Sequence, residues 1–104
     1  MSNYIKLAFK LTKRSTHNQH HMAAVIIKGG RVLASACNLG KWNACCERRA
    51  IRPYMNLKGA TIIVVRKNGG ISKPCGDCQV AIEEAGIKKV IYFNHSRELV
   101  IDRM

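Results

Sequence analysis

The alternation of apolar and polar positions divides the first third of the chain into a helix and two strands. Between positions 4 and 13, apolar residues recur among lysines with the spacing of an amphipathic helix. Two β-rich runs, 22–27 and 31–37, flank Lys28-Gly29-Gly30, and a Gly-Gly pair between such runs is typical of a hairpin. This part of the sequence therefore predicts a helix followed by a β-hairpin.

The middle of the chain predicts a short helix and a buried strand. Residues 44–52 suit a helix, and Pro53 should end or kink it because proline disrupts a helix interior. After a turn at Gly59, residues 60–65 are apolar and mostly β-branched without interruption. Such a run is typical of a strand that is covered on both faces.

The last third predicts a helix and two short strands. Pro74 opens a segment whose apolar positions have helical spacing, and Gly86 stands where a helix C-cap belongs. Strands are expected at 89–93 and 99–101. The link 94–98 is too short for a parallel crossover, so the last strand must run antiparallel if it pairs with its predecessor. The elements together predict an α/β sandwich with a mixed sheet.

Length and composition predict one domain that spans residues 1–104. The chain has 104 residues, of which 47% are hydrophobic, and this content argues against intrinsic disorder. No apolar run approaches the ~18 residues that a membrane span needs. The basic N-terminus has no small-residue cleavage site and is not a secretory signal. We therefore expect a soluble, cytoplasmic protein without a membrane partner.

The charge of the chain predicts a phosphate-bearing partner. Eighteen Lys and Arg residues against six Asp and Glu residues give a formal net charge of +12. Such a field attracts nucleotides, nucleic acids or anionic lipids, and by itself it does not distinguish among them. The alternative is that the basic residues serve only solubility.

The cysteines indicate a metal site. Five cysteines in a chain without an export signal favour reduced thiols over a disulfide framework. Cys75 and Cys78 form a C-x-x-C at the expected start of one helix, and Cys45 stands at the start of another; helix N-termini favour thiolates. Three thiolates leave the fourth position of Zn²⁺ open, as in a catalytic site. Glu47, two residues beyond Cys45, is placed to shuttle protons.

The combined pattern resembles the zinc-dependent cytidine/deoxycytidylate deaminase superfamily, in its small form with three cysteine ligands. Cys-x-Glu and Pro-Cys-x-x-Cys each open a helix, and the combination is more specific than either half. The matching segments are Ala23-Ala-Val-Ile-Ile, Asn38, Cys45-Cys46-Glu47-Arg48-Arg49-Ala50-Ile51, Lys73-Pro-Cys-Gly-Asp-Cys-Gln and Ala85-Gly-Ile-Lys-Lys-Val-Ile-Tyr92.

The resemblance implies a three-layer α/β/α sandwich with a mixed sheet of about five strands. It also implies a Zn²⁺ cofactor and a glutamate that carries protons from water to the substrate ring and to the leaving ammonia. An arginine beside the ligands offsets the excess negative charge of three thiolates. The implied residues are the zinc ligands Cys45, Cys75 and Cys78, the proton shuttle Glu47, the substrate contacts Asn38 and Ala44, and the thiolate donor Arg48.

Two departures from the family pattern bear on the substrate. Cysteine at position 45 is typical of members that act on free nucleosides, whereas many nucleotide and nucleic-acid deaminases have histidine there. The nucleoside branch carries Asn-x-Glu at the ribose contact, but this chain reads Asn38-Leu39-Gly40. The missing carboxylate argues against simple nucleoside recognition.

The chain also lacks the C-terminal helices of many members, so we expect a homo-oligomer in which a neighbouring subunit completes the pocket.

The expected function is hydrolytic deamination of a cytosine nucleoside or nucleotide, and a phosphorylated substrate such as deoxycytidylate agrees with the charge. A base deaminase that acts on single-stranded DNA or RNA is the first alternative, because +12 would support it equally. The alternative from another class is a basic nucleic-acid-binding module whose structural zinc takes Cys37 or Cys46 as a fourth thiolate.

Several residues near the expected site have two interpretations. Cys37 and Cys46 are expected to pack as small buried residues rather than to bind metal. Trp42 either stacks on a base or packs in the core. The loop before the first strand carries a histidine cluster that is either solvated or in contact with substrate, and it consists of His17, His20 and His21.

Overall fold

A computed structural model describes residues 2–16, 20–38, 45–51 and 56–103 of the chain. Its helices and strands follow one another in the expected order. The elements are α1 (Ser2–Leu11) with a 3₁₀ turn (Thr12–Arg14), β1 (Met22–Lys28), β2 (Arg31–Cys37), α2 (Cys46–Ala50), β3 (Thr61–Arg66), α3 (Gly76–Glu84), β4 (Lys89–Phe93) and β5 (Leu99–Arg103). Within these ranges no helix has the length and apolar character needed to cross a bilayer.

The five strands form one mixed sheet in the order β2-β1-β3-β4-β5. Strand β1 is antiparallel to both of its neighbours, β3 and β4 run parallel, and β5 returns antiparallel to β4. The expectation of a mixed sheet of about five strands is confirmed, as is the antiparallel direction of the last strand.

Helices cover both faces of the sheet. Four consecutive residues of β3, Ile62–Val65, are completely buried, and their side chains alternate between the two faces. Ile62 and Val64 belong to a core that includes residues of α2 and α3, whereas Ile63 and Val65 pack in a second core with α1. The three-layer α/β/α sandwich is therefore confirmed.

One edge of the sheet collects the chain segments that lead to the cysteines. The start of β1 pairs with the end of β2 and with the end of β3, in the pairs Ala23–Cys37 and Met22–Arg66. Helix α2 follows β2 and α3 follows β3, so both helices begin at this edge. The topology thus brings together the two sequence motifs that are far apart in the chain.

Two helix boundaries differ from the expectation. Helix α1 begins at Ser2 and continues into the 3₁₀ turn, where the hydroxyl of Thr12 donates to the carbonyl of Phe9 at 2.6 Å. Helix α2 covers only Cys46–Ala50 instead of residues 44–52, and Ile51 leaves it in an extended conformation. The expected effect of Pro53 lies outside the described residues.

Helix α3 ends at the expected glycine. Gly86 has a φ of +79°, and the amide of Ile87 behind it donates to the carbonyl of Ile82 at 3.3 Å. A side chain at position 86 would also meet the backbone of Lys58, since a Cβ there would lie 3.2 Å from the Cα of Lys58. Glycine is therefore required both for its conformation and for its size.

Ser72 fixes the segment that leads from β3 to the second cysteine pair. Its buried hydroxyl donates to the carbonyl of Val64 at 2.7 Å and accepts from the amide of Phe93 at 2.9 Å. Its own amide donates to the carbonyl of Phe93 at 2.9 Å. The loop is thus tied to the adjacent ends of β3 and β4, three residues before Cys75.

We expect Ser72→Ala to lower the free energy of unfolding by about 1–3 kcal/mol, because the buried amide of Phe93 loses its acceptor. Urea unfolding measures the effect. The matched control is Ser96→Ala at an exposed turn position, which should cost less than about 0.5 kcal/mol. Equal effects of the two substitutions would contradict the anchoring role.

A hydrogen bond joins the last two strands. The hydroxyl of Tyr92 donates to a carboxylate oxygen of Asp102 at 2.8 Å. This bond to the carboxylate raises the pKa of Tyr92, and burial raises it further. Because the folded-state pKa exceeds the unfolded value, the stabilisation is present below about pH 10 and is lost as pH rises through the folded-state pKa.

Thermal unfolding at several pH values tests this linkage. At neutral pH, Tyr92→Phe should lower the free energy of unfolding by about 1 kcal/mol. The difference between the wild type and the variant should shrink above pH 10, since the wild type alone loses the bond there. A difference that stays constant up to pH 11 would be inconsistent with this linkage.

Candidate metal centre

Three cysteines meet at the edge where α2 and α3 begin. The sulfur atoms of Cys45, Cys75 and Cys78 all lie within 4.8 Å of one another. Cys78 is completely buried, Cys45 is half-buried and Cys75 is exposed. The structure therefore brings together the three residues that the sequence indicated as zinc ligands.

The backbone places two of these cysteines at helix N-caps. Cys45 and Cys75 are extended, with ψ angles of 142° and 169°, and their carbonyls accept the first backbone bonds of α2 and α3. Neither side chain caps its own helix. The sulfur atoms therefore stay available as ligands, next to amide groups whose partial positive charge favours thiolates.

The donor set fits zinc. Zn–S bonds of about 2.3 Å in a tetrahedron imply sulfur separations of about 3.8 Å, and the observed sulfur atoms all lie within 4.8 Å of one another. Burial raises the pKa of both Cys45 and Cys78, and the charge of Glu47 acts in the same direction. A divalent cation would offset both effects, because thiolates bind it with release of their protons. Among the described residues, no fourth histidine, cysteine or carboxylate joins the cluster.

Glu47 lies buried beside the cluster, with 4% of its surface exposed. One carboxylate oxygen accepts a hydrogen bond from the thiol of Cys46 at 2.8 Å. Burial raises the pKa of Cys46, and Glu47 raises it further, so this thiol stays protonated and can donate. Sequence reasoning predicted packing for Cys46 and missed its bond to Glu47. Adjacent positions in a sequence do not indicate that two side chains will turn toward each other.

Arg48 links the two helices of the cluster. Its guanidinium lies 3.8 Å from the carboxylate of Asp77 in the first turn of α3. The pair is largely exposed and adds little stability. Its positive charge nevertheless acts to lower the pKa of Cys45, which is the electrostatic direction that the sequence analysis expected. Donation from Arg48 to a ligand thiolate stays a prediction.

Asn38 holds the start of β1 in place. Its buried amide oxygen accepts from the hydroxyl of Ser15 at 2.5 Å and from the amide of Met22 at 3.0 Å, and its amide nitrogen donates to the carbonyl of His20 at 2.7 Å. Three of the four hydrogen-bonding positions of the side chain are thus used within the protein. The substrate contact expected of Asn38 stays a prediction.

Four other residues named in the sequence analysis lie outside the described part of the chain or away from the sulfur cluster. Ala44, Trp42 and His17 lie outside the described residues. Cys37 is half-buried and does not join the sulfur cluster, while its carbonyl accepts a hydrogen bond from the guanidinium of Arg49.

A cleft of about 470 Å³ opens at the same edge of the sheet. His20 and His21 in its lining belong to the histidine cluster of the sequence, but sequence reasoning missed the two strong cations of the lining, Arg66 and Lys67. A basic pair at the end of a buried strand was the available signal. The residues that line this basic cleft are His20, His21, Arg66, Lys67 and Asn68.

Comparison with known proteins shows to which family this chain belongs. The family model named the cytidine and deoxycytidylate deaminase zinc-binding region matches residues 1–94 of this chain. A search of the curated proteins finds no match.

Solved structures share the fold. The chain is 28% identical to a diaminohydroxyphosphoribosylaminopyrimidine deaminase/5-amino-6-(5-phosphoribosylamino)uracil reductase from Thermotoga maritima (TM-score 0.68), and the match covers 85% of this chain and 27% of that one. It is 26% identical to the dCMP deaminase from cyanophage S-TIM5 (TM-score 0.70, 89% and 81% covered). A cytidine deaminase from Burkholderia pseudomallei is 23% identical (TM-score 0.75, 98% and 91% covered) and shows the fold alone. The chain thus spans about a quarter of the Thermotoga protein.

We expect Cys75→Ser to lower the affinity for zinc by more than about 100-fold, because loss of a ligand should exceed the ~10–100-fold cost of losing an outer partner. Cys75 is exposed, so the substitution should leave the core intact. Elemental analysis after dialysis against a competing chelator gives the zinc content, and circular dichroism checks the fold. The control Cys37→Ser should keep one zinc per chain. Wild-type zinc content in Cys75→Ser would exclude the cluster as the site.

Proposed function

Because the chain belongs to the cytidine and deoxycytidylate deaminase zinc-binding family, we propose that it catalyses the hydrolytic deamination of a cytosine nucleoside or nucleotide. The reaction forms a bond from C4 to a water oxygen and breaks the bond from C4 to the amino nitrogen. The products are the uracil compound and ammonia. The observation that carries the proposal is the buried carboxylate of Glu47 beside three clustered cysteine sulfurs.

Cys45, Cys75 and Cys78 would hold the zinc in this proposal. Zinc supplies Lewis-acid activation of water near neutral pH when it is bound. The neighbouring charges support its retention: Arg48 contributes a positive charge near Cys45, which helps to balance three thiolates around a divalent ion. Residues 1–104 form a single domain in the proposal, and assembly into a homo-oligomer stays a prediction from the sequence.

Glu47 would carry the protons. The thiol of Cys46 binds one of its carboxylate oxygens and fixes the orientation of the side chain. The other oxygen takes one proton from the attacking water and delivers it to ring N3. It then carries the second water proton to the departing amino group, which leaves as ammonia. Burial of the carboxylate keeps bulk water away and strengthens these transfers.

A phosphorylated substrate has the stronger support. The cyanophage relative is by name a dCMP deaminase, and one structure of it is described as a complex with dCMP and dUMP. The name of the Thermotoga relative also describes a phosphoribosyl compound as substrate. The net charge of +12 favours an anionic ligand.

A second candidate is deamination of cytosine within single-stranded DNA or RNA, and the same net charge favours it. The salt dependence of binding separates the two candidates. A polymer that contacts many phosphates gives a steep decline of affinity with salt, whereas a monophosphate gives a shallow one.

The substitution Glu47→Gln tests the proposal. We expect it to reduce ammonia release by about 10²–10⁴-fold, because amide replaces the proton-transferring group. The zinc content should stay at one per chain. The assay uses zinc-loaded protein with cytidine, deoxycytidine, their monophosphates, and single-stranded DNA and RNA.

Glu84→Gln, at an exposed position near the end of α3, is the matched control and should retain wild-type turnover. Full activity in Glu47→Gln would show that another group moves the proton. A binding module with a structural zinc predicts no turnover by the wild type on any substrate.

A further inference from the structure

The basic cleft has the size and charge of a ligand site that is separate from the sulfur cluster. Its volume of about 470 Å³ lies within the range of about 300–1,000 Å³ that small-molecule sites occupy. Arg66 and Lys67 supply two strong positive charges, and the described lining residues include no acidic side chain. We propose that this cleft binds the 5′-phosphate of the substrate and thereby selects a nucleotide; the inference rests on the deaminase function proposed above.

The position of the cleft supports this assignment. Arg66 ends β3, and the segment after it leads to Cys75 and Cys78. Because side chains alternate along a strand, Arg66 shares a face with Ile62 and Val64, the face covered by α2 and α3. Arg66, which forms part of the cleft wall, therefore lies at the same edge of the sheet as the sulfur cluster and on the face that α2 and α3 cover.

A backbone hydrogen bond joins the two walls of the cleft. The amide of Lys67 donates to the carbonyl of His21 at 2.8 Å. The side-chain amide nitrogen of Asn38 donates to the carbonyl of His20, in the same wall as His21, at 2.7 Å. Asn38 is thus a positioning residue for one wall, and it lies on the chain segment that leads from β2 toward Cys45. This arrangement gives the asparagine of the family pattern a role without direct contact with the phosphate.

The strongest single observation in favour of a phosphate site concerns the side chain of Arg66. Its Nε atom is buried and has no hydrogen-bond partner within the described part of the chain. A buried N–H group without an acceptor is unfavourable, and native proteins satisfy most such groups. A guanidinium presents parallel N–H groups that match two oxygens of a phosphate. A phosphate bound in the cleft that Arg66 lines would supply an acceptor for this guanidinium.

A second cleft of similar volume, about 460 Å³, provides an internal comparison. It lies near the opposite edge of the sheet and contains Glu83 together with Lys58 and Lys88. The glutamate reduces the net positive charge there, and none of these residues belongs to the segments that lead to the cysteines. Lys88→Gln and the exposed Arg31→Gln therefore match the charge changes of the test variants at a distant place.

The first experiment compares kcat/KM on deoxycytidine monophosphate and deoxycytidine for zinc-loaded protein. In both Arg66→Gln and Lys67→Gln we expect the ratio of the two values to fall by at least about tenfold, mainly through KM, because a charge-assisted bond to phosphate is lost. The controls Lys88→Gln and Arg31→Gln should keep the wild-type ratio. Lys67 is exposed, so its variant remains informative if Arg66→Gln fails to fold.

The second experiment does not need turnover. Calorimetry with inorganic phosphate, and amide chemical shifts of Lys67 and Asn68 during the same titration, report on the cleft directly. Binding that is weakened in Arg66→Gln would support the inference even if no cytosine compound were deaminated. Deamination without phosphate binding, and with an unchanged ratio in both variants, would overturn it while the proposed function stood. Preference for a single-stranded DNA over the monophosphate would also overturn it.

Discussion

Burial of β3 on both faces is the constraint on which the rest of the structure depends. Its four central residues, Ile62–Val65, are shielded completely, with two facing α1 and two facing α2 and α3. A shift of register by one residue would exchange the two sets and send Arg66 to the face of α1. Hydrophobic packing therefore fixes the register of β3 and with it the face of the sheet on which Arg66 lies.

The sulfur cluster is a consequence of this packing. The end of β3 lies beside the start of β1, because these strands are antiparallel, and beside the end of β4, because those strands are parallel. The connections to α2 and α3 leave the sheet at this edge, where both helices begin. Ser72 makes three hydrogen bonds that fix the segment before Cys75 to the ends of β3 and β4. The segment that carries Cys75 and Cys78 is thus anchored in the sheet, which is the arrangement a preorganised metal site requires.

Local patterns in the sequence predicted most of the fold and the three cysteines, because helix caps, β-branched runs and C-x-x-C spacing act over a few residues. Gly86 is an example, since its conformation depends only on the helix that it ends. The partners of Asn38 could not be predicted, because Ser15 and Met22 are distant in the chain and meet it only after the sheet has formed. The same holds for the basic cleft, whose walls come from the segments before β1 and after β3.

The three clustered cysteines differ greatly in their exposure to solvent, from the exposed Cys75 to the completely buried Cys78. Water and competing chelators would reach a metal ion held between them from the side of Cys75, because Cys78 is closed off by the core. Access to the ion would then be one-sided, although its affinity would depend on all three cysteines.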